Sequence, residues 1–172
     1  AGLRLKAGRI FKLDTSLYYM QKRNDIVTFR PATGDNQRLN AGKTEHKGVE
    51  AGLETFPVMD FTLGVSYSYA EHTYTEWRVS STKDFNGKEI SAAPRENLNV
   101  RLDYSPSFLK GGLIEVEWVR LGSYWLDDEN TTKYDGHDLL NMRASYNITP
   151  RWEMYAKALN VNDKLYADRA SK

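Results

Sequence analysis

The chain has 172 residues, enough for one domain with a real core, and its 24 basic and 23 acidic residues leave a net charge of +1. The absence of cysteine excludes disulfides and thiolate chemistry, and the lack of a basic stripe excludes nucleic acid as a partner. A mean hydropathy of −0.65, with no apolar window near the ~18–20 residues of a membrane helix, reads as soluble, yet a membrane barrel hides its apolar residues at every second position and gives the same average.

In chain order, alternation is the dominant signal. The opening "GLRLKAG" is a short strand. "KLDTSLYYMQ" places Leu13, Thr15, Leu17 and Tyr19 on one face. "GKTEHKGVEAGLETF" sets Val49, Ala51 and Leu53 against Thr44, His46, Gly48, Glu50, Gly52 and Glu54. In "FTLGVSYSYAEHTYTEW" the odd positions Phe61 to Tyr69 are apolar or aromatic and the even ones small or polar, and the pattern stops at Glu71. "ENLNVRLDYS" opposes Leu98, Val100, Leu102 and Tyr104 to Asn97, Asn99, Arg101 and Asp103. "GLIEVEWVRLGSYWL" alternates Ile114, Val116 and Trp118 with Glu115 and Glu117, then slips register. "HDLLNMRASYNI" and "RWEMYAKAL" close the series, with Leu140, Met142, Ala144, Tyr146, Ile148, Trp152, Met154, Ala156 and Ala158 on the apolar side. Period-two alternation of this kind marks strands with one apolar face, and the count is eight strands with no helix.

The connections alternate in size. Tight ones fall near Arg9–Lys12, Phe56–Asp60, Pro106–Gly112 and Thr149–Arg151, and long polar ones at Arg30–Arg38, Val79–Pro94 and Asp127–Gly136. In an up-and-down sheet every second connection lies at the same end, so tight turns gather at one end and long loops at the other. A soluble β-sandwich also alternates, but Greek-key connections do not sort loop lengths this way, and the second face here carries Thr, His, Glu, Asn, Arg and Asp. Eight steps from Phe61 to Tyr69 cover roughly 26 Å, or about 20 Å along the normal once tilted, close to the apolar band of an outer-membrane barrel. The expected fold is all-β: an antiparallel up-and-down transmembrane β-barrel wall of about eight strands, its apolar face on outer-membrane lipid.

Three segments carry a family resemblance. "LNAGKTEHKGVEAGLE" (Leu39–Glu54), with Gly48, Val49 and Glu50 heading a strand, resembles the C-terminal barrel of TonB-dependent outer-membrane receptors. "SLYYMQKRNDIVTF" (Ser16–Phe29) looks like a recurring segment of those barrels upstream. In "NMRASYNITPRWEMYAKALNVNDKLYADRAS", Asn160, Asp163, Tyr166 and Ala167 stand in the places of an Asn-x-x-Asp-x-x-Tyr-Ala pattern usual near the barrel's end. The resemblance implies a cell-outer-membrane location in a Gram-negative bacterium and uptake of a ferric siderophore or similar scarce chelate. It implies no enzyme activity and no cofactor. Residues 1–172 are then expected to be the C-terminal portion of a 22-stranded barrel, with plug domain, TonB box and final strand absent and TonB contacted only through those missing N-terminal parts. The second reading is a self-contained eight-stranded barrel with a structural or adhesive role.

No catalytic constellation is present. His46, His72 and His137 lie on different segments without close metal-ligand spacing, which reads as polar barrel or loop histidines. Glu50, Glu54, Glu115 and Glu117 read as inward carboxylates paired across strands with Arg101, Arg143 or Lys157. The candidate ligand-binding residues are the aromatics and charges at the external strand ends: Arg30, His72, Tyr74, Trp77, Tyr124, Trp125 and Tyr134. Trp77, at the root of the longest loop, is the expected hot spot, with Arg78, Lys83, Lys88 and Phe85 around it.

Overall fold

A computed structural model describes residues 1–8, 10–29, 35, 37–81 and 83–167. The strands, all among the described residues, are β1 (Gly2–Ala7), β2 (Phe11–Phe29), β3 (Gln37–Thr55), β4 (Phe61–Glu76), β5 (Glu96–Tyr104), β6 (Gly112–Leu121), β7 (Tyr124–Trp125), β8 (Lys133–Tyr134), β9 (His137–Thr149) and β10 (Trp152–Ala158). Eight of them form one antiparallel sheet in the order β1-β2-β3-β4-β5-β6-β9-β10, while β7 and β8 pair only with each other. The slip foreseen after Trp118 is not a break in pairing, since β6 stays in register to Leu121; only beyond it does Tyr124–Trp125 leave as half of a separate hairpin. Among the described residues β1 pairs only with β2 and β10 only with β9, so the sheet is open. A closed eight-stranded barrel is not what these strands form.

Register assigns each side chain to a face. One row runs Val65–Val100–Trp118–Leu140, and the next toward the tight turns runs Leu63–Leu102–Val116–Met142. This outer face is apolar across the sheet and exposes Leu17, Leu102, Ile114, Trp118, Met142 and Met154. Aromatic side chains edge it on both sides. Phe61 stacks on Tyr104 at 4.5 Å near the tight turns, and Tyr69 stands toward the long loops. Just beyond that second edge the outer face becomes ionic. Lys47 pairs with Glu71 at 3.0 Å, and Arg120 reaches Glu96 at 3.2 Å and Asp138 at 3.3 Å. An apolar band between aromatic girdles, ending in paired charges, is a lipid-facing surface with its interface.

The inner face is polar and wet in character. Lys12 meets Glu54 at 2.6 Å, Arg143 meets Glu153 at 3.2 Å and Arg101 meets Asp103 at 3.2 Å. Glu117 instead takes Asn99 and Asn141 at 2.7 and 3.0 Å, and Glu50 takes the Ser16 hydroxyl at 3.1 Å. Carboxylates thus face inward as expected, but several are served by amides and hydroxyls rather than by the arginines foreseen. The face carries a recess of about 670 Å³ lined by Ser16, Glu50, Ser68, Asn97, Asn99 and His137. At its external end the alternation inverts: Val119 and Leu121 point inward, and Arg120 points outward to Glu96 and Asp138. Gly48 is needed where it stands, since a Cβ there would lie 2.6 Å from the Tyr69 carbonyl and 2.7 Å from the Tyr18 ring.

β2 and β3, at 19 residues each, are about twice the 9–11 residues that span a bilayer, so their far halves stand outside it. The last turn-lengths of β4 do the same. No β5 partner exists at that height, and the chain comes back to cover the free edge. Ile90 donates its N–H to the His72 carbonyl at 2.9 Å, and Tyr74 donates to the Lys88 carbonyl at 2.9 Å. The buried hydrophobic core of the described residues lies here, outside the apolar band: Tyr74, Trp77 and Phe85, with Leu39, Val79 and Ile90 against them.

Candidate functional site

Two long loops, residues 77–95 and 122–136, fold together on the external end of β4. The first is a hairpin: Phe85 donates its N–H to the Trp77 carbonyl at 2.9 Å, Val79 donates to the Lys83 carbonyl at 2.9 Å, and Arg78 closes on Asp84 at 2.5 Å. Its inner side chains make an aromatic stack, with Tyr74–Trp77 centroids at 4.3 Å and Trp77–Phe85 at 4.5 Å. Tilted packing of this sort adds to the area term that buries three large rings.

The second loop is organised by Asp127. Its carboxylate accepts from the Thr131 N–H at 2.7 Å, the Thr131 hydroxyl at 2.9 Å and the Thr132 N–H at 2.9 Å. Burial alone would raise the Asp127 carboxyl, but those donors outweigh it and hold it below the usual aspartate value. Asn130, left-handed at φ 55, docks this loop on the first by reading backbone as backbone would. Its Oδ1 accepts from the Glu89 N–H at 2.8 Å and its Nδ2 donates to the Glu89 carbonyl at 2.9 Å. Asn tolerates that conformation better than other non-glycine residues.

Glu89 is the electrostatic hinge between the loops. Arg95 clamps it bidentately at 2.7 and 2.8 Å, and the Trp125 indole donates to it at 3.2 Å. Burial pushes its carboxyl up, and the Arg95 and Trp125 contacts more than reverse that, so it stays ionised. Lys133 lies over the Trp125 ring at 5.3 Å. Ala92, at φ 57, donates its N–H to the Trp125 carbonyl at 2.8 Å, so the docking holds a non-glycine residue in a left-handed conformation.

Six of the seven residues singled out in the sequence lie in or beside this assembly. Tyr74 and Trp77 are 2% and 3% exposed and Tyr124 is 7% exposed, so these three build the assembly's interior and offer a ligand almost no surface. Trp125 and Tyr134 are half-buried and His72 faces inward on β4. Tyr124 packs on Tyr134 at 5.3 Å, and the Tyr134 hydroxyl meets His137 Nδ1 at 2.8 Å. Arg30 lies outside the described residues. Sequence reasoning missed Glu89, Asp127, Asp128 and Asn130, whose roles depend on contact between loops about 40 residues apart. It also missed that His46 stands opposite His72, although extending the pairing outward from the Phe56–Asp60 turn sets His46 opposite Ala70, on the same face and two residues from His72. Among the described residues no three His, Cys, Asp or Glu side chains are grouped to hold a metal ion.

An open antiparallel wall with a lipid-facing band, a polar inner face and folded loops at one end defines a segment of a large outer-membrane receptor-type barrel. Residues 1–161 match the family described as TonB dependent receptor-like, beta-barrel, and the chain belongs to that family. Solved structures agree in fold. The ferric preacinetobactin receptor BauA of Acinetobacter baumannii superposes with a TM-score of 0.73 at 17% identity, over 95% of this chain and 24% of its own. The ferric yersiniabactin uptake receptor FyuA of Yersinia pestis gives 0.74 at 14% identity, over 95% and 24%. The copper transporter OprC gives 0.78 at 17% identity, over 96% and 26%. The chain spans about a quarter of the length of these structures.

Proposed function

We propose that this chain is the C-terminal portion of the barrel of a TonB-dependent receptor that imports an iron chelate across the outer membrane of a Gram-negative bacterium. The observation that carries the reading is the folded pair of loops, 77–95 and 122–136, standing over a polar inner wall on a scaffold whose outer face suits lipid. Such an arrangement binds and passes a ligand without covalent chemistry. The half-buried Trp125, Tyr134 and His72, rather than the buried rings beneath them, are the surfaces offered to it. The free edges of β1 and β10 support the larger barrel, because unpaired backbone at membrane depth must be satisfied by further strands.

The test is uptake by the intact receptor in a strain stripped of its other iron-chelate receptors. Radiolabelled iron should enter when chelated, and entry should stop when TonB is removed or residues 78–90 are replaced by a short glycine-serine link. Chelate-independent growth under iron limitation, with no change on loss of the receptor, would sink the iron reading. The neighbour named as a copper transporter makes a copper-loaded arm of the same assay necessary.

A further inference from the structure

On the inner face, just external to the membrane band, three adjacent strands place Met20, His46 and His72 in one register row. The two imidazoles touch: their Nδ1 atoms are 2.8 Å apart and their rings 5.0 Å centroid to centroid. His46 also meets the Thr44 hydroxyl through Nε2 at 3.0 Å, and Thr44 is fully buried. If Nε2 carries the proton and donates to Thr44, His46 Nδ1 presents its lone pair toward His72. That is the preparation a metal-ligating histidine receives from an outer partner on its other nitrogen.

We propose that Met20, His46 and His72 form a binding site for a soft late-transition metal ion, copper(I) before others, on the inner wall beneath the external loops. Two Nδ1 atoms on one tetrahedral metal at about 2.0–2.1 Å each stand roughly 3.3 Å apart, so the present 2.8 Å requires only a small rotation of one ring. Met20, in register with His46 one strand over and 46% exposed, is within side-chain reach as third ligand. Imidazole serves zinc, nickel and copper alike, whereas a thioether selects copper(I). Tyr18 lies one row inward, its ring packed over the Gly48 backbone.

The site is defined by donor atoms and is independent of the transported ligand, so the probe is the metal alone. The intact receptor in detergent, stripped by chelator and held under reductant without oxygen, is titrated with copper(I) against a chromophoric competitor. The wild type should hold one more equivalent than His46→Ala/His72→Ala. Loss of a direct ligand should cost no less than loss of an outer partner, so Met20→Leu should weaken copper(I) by about 10–100-fold and leave zinc nearly unchanged. Equal stoichiometry and affinity in the folded double variant would overturn the site. Should that variant fail to fold, X-ray absorption of the wild type at one equivalent decides: two imidazoles with a sulfur support the site, and their absence overturns it.

Discussion

The Tyr74 hydroxyl donates to Asp128 Oδ1 at 3.1 Å, with both side chains buried and the two residues 54 positions apart in the chain. Through this bond the external end of β4 holds the β7–β8 loop, and Asp128 also receives the Ser91 N–H at 3.4 Å from the other loop. Tyr74→Phe keeps the ring stack and removes only the donor. A buried carboxylate left short of a partner costs about 1–3 kcal/mol, more for a charged group. Both loops should therefore gain hydrogen exchange together, while the strands from Phe61 to Tyr69 keep their protection. Exchange rising in residues 77–95 alone would show that the loops fold independently.

Trp77 is predicted to act on ligand affinity through loop shape. Truncating a buried tryptophan costs about 3–5 kcal/mol, and here that falls on one small aromatic core. Trp77→Ala should open residues 78–90 to protease and weaken ligand binding by the intact receptor, with the heat-modifiable mobility of the barrel unchanged. Trp77→Phe, which refills most of the volume, should recover both. Loss of binding with an unaltered cleavage pattern would mean that the indole touches the ligand directly.

What was legible in the sequence follows from locality. The eight strands of the main sheet, their faces and the sorting of loops by length rest on period two, which is written in neighbouring residues such as Leu98 to Asp103. The outer halves of β2 and β3 were harder, because segments such as "QKRND" leave the bilayer and no longer need one apolar face. Tyr74 and Trp77 stand at the long-loop end of β4, but their burial depends on Phe85 and on a loop some 50 residues downstream. The His46–His72 pair was hidden for the same reason: neither segment alone shows what lies across the hairpin.

Asp127 should make loop order depend on acid. Its folded carboxyl lies below the aspartate reference of 3.8, so its contribution is fully present above that value and is lost as pH falls through the lower folded value. Protease access to residues 122–136 should stay constant from neutral pH to about 4 and rise below it. Glu89 and Asp84 are also held low and titrate in the same range, so the diagnostic is the comparison with Asp127→Asn. That variant should be more open at neutral pH and change less on acidification. A parallel pair of pH curves would remove Asp127 from the effect.

Val100 and Arg101 test the assignment of faces, because they are adjacent in sequence and opposite in environment. Val100 lies in the row Val65–Val100–Trp118–Leu140, midway between the aromatic edges at Tyr104 and Tyr69. An arginine there must hold its charge near the centre of the bilayer, a cost of about 2–4 kcal/mol on a lipid-facing barrel position. Arg101 projects inward, opposite Glu117 and 3.2 Å from Asp103, with its side chain 46% exposed. Removing so accessible a pair member costs roughly 0–1 kcal/mol, somewhat offset by the extra apolar surface of a leucine. Unfolding of the intact receptor from lipid vesicles by urea should therefore show Val100→Arg strongly destabilised and Arg101→Leu close to wild type. Equal shifts would mean that the two faces see the same solvent, as in a soluble sheet, and the lipid-facing band would have to be abandoned.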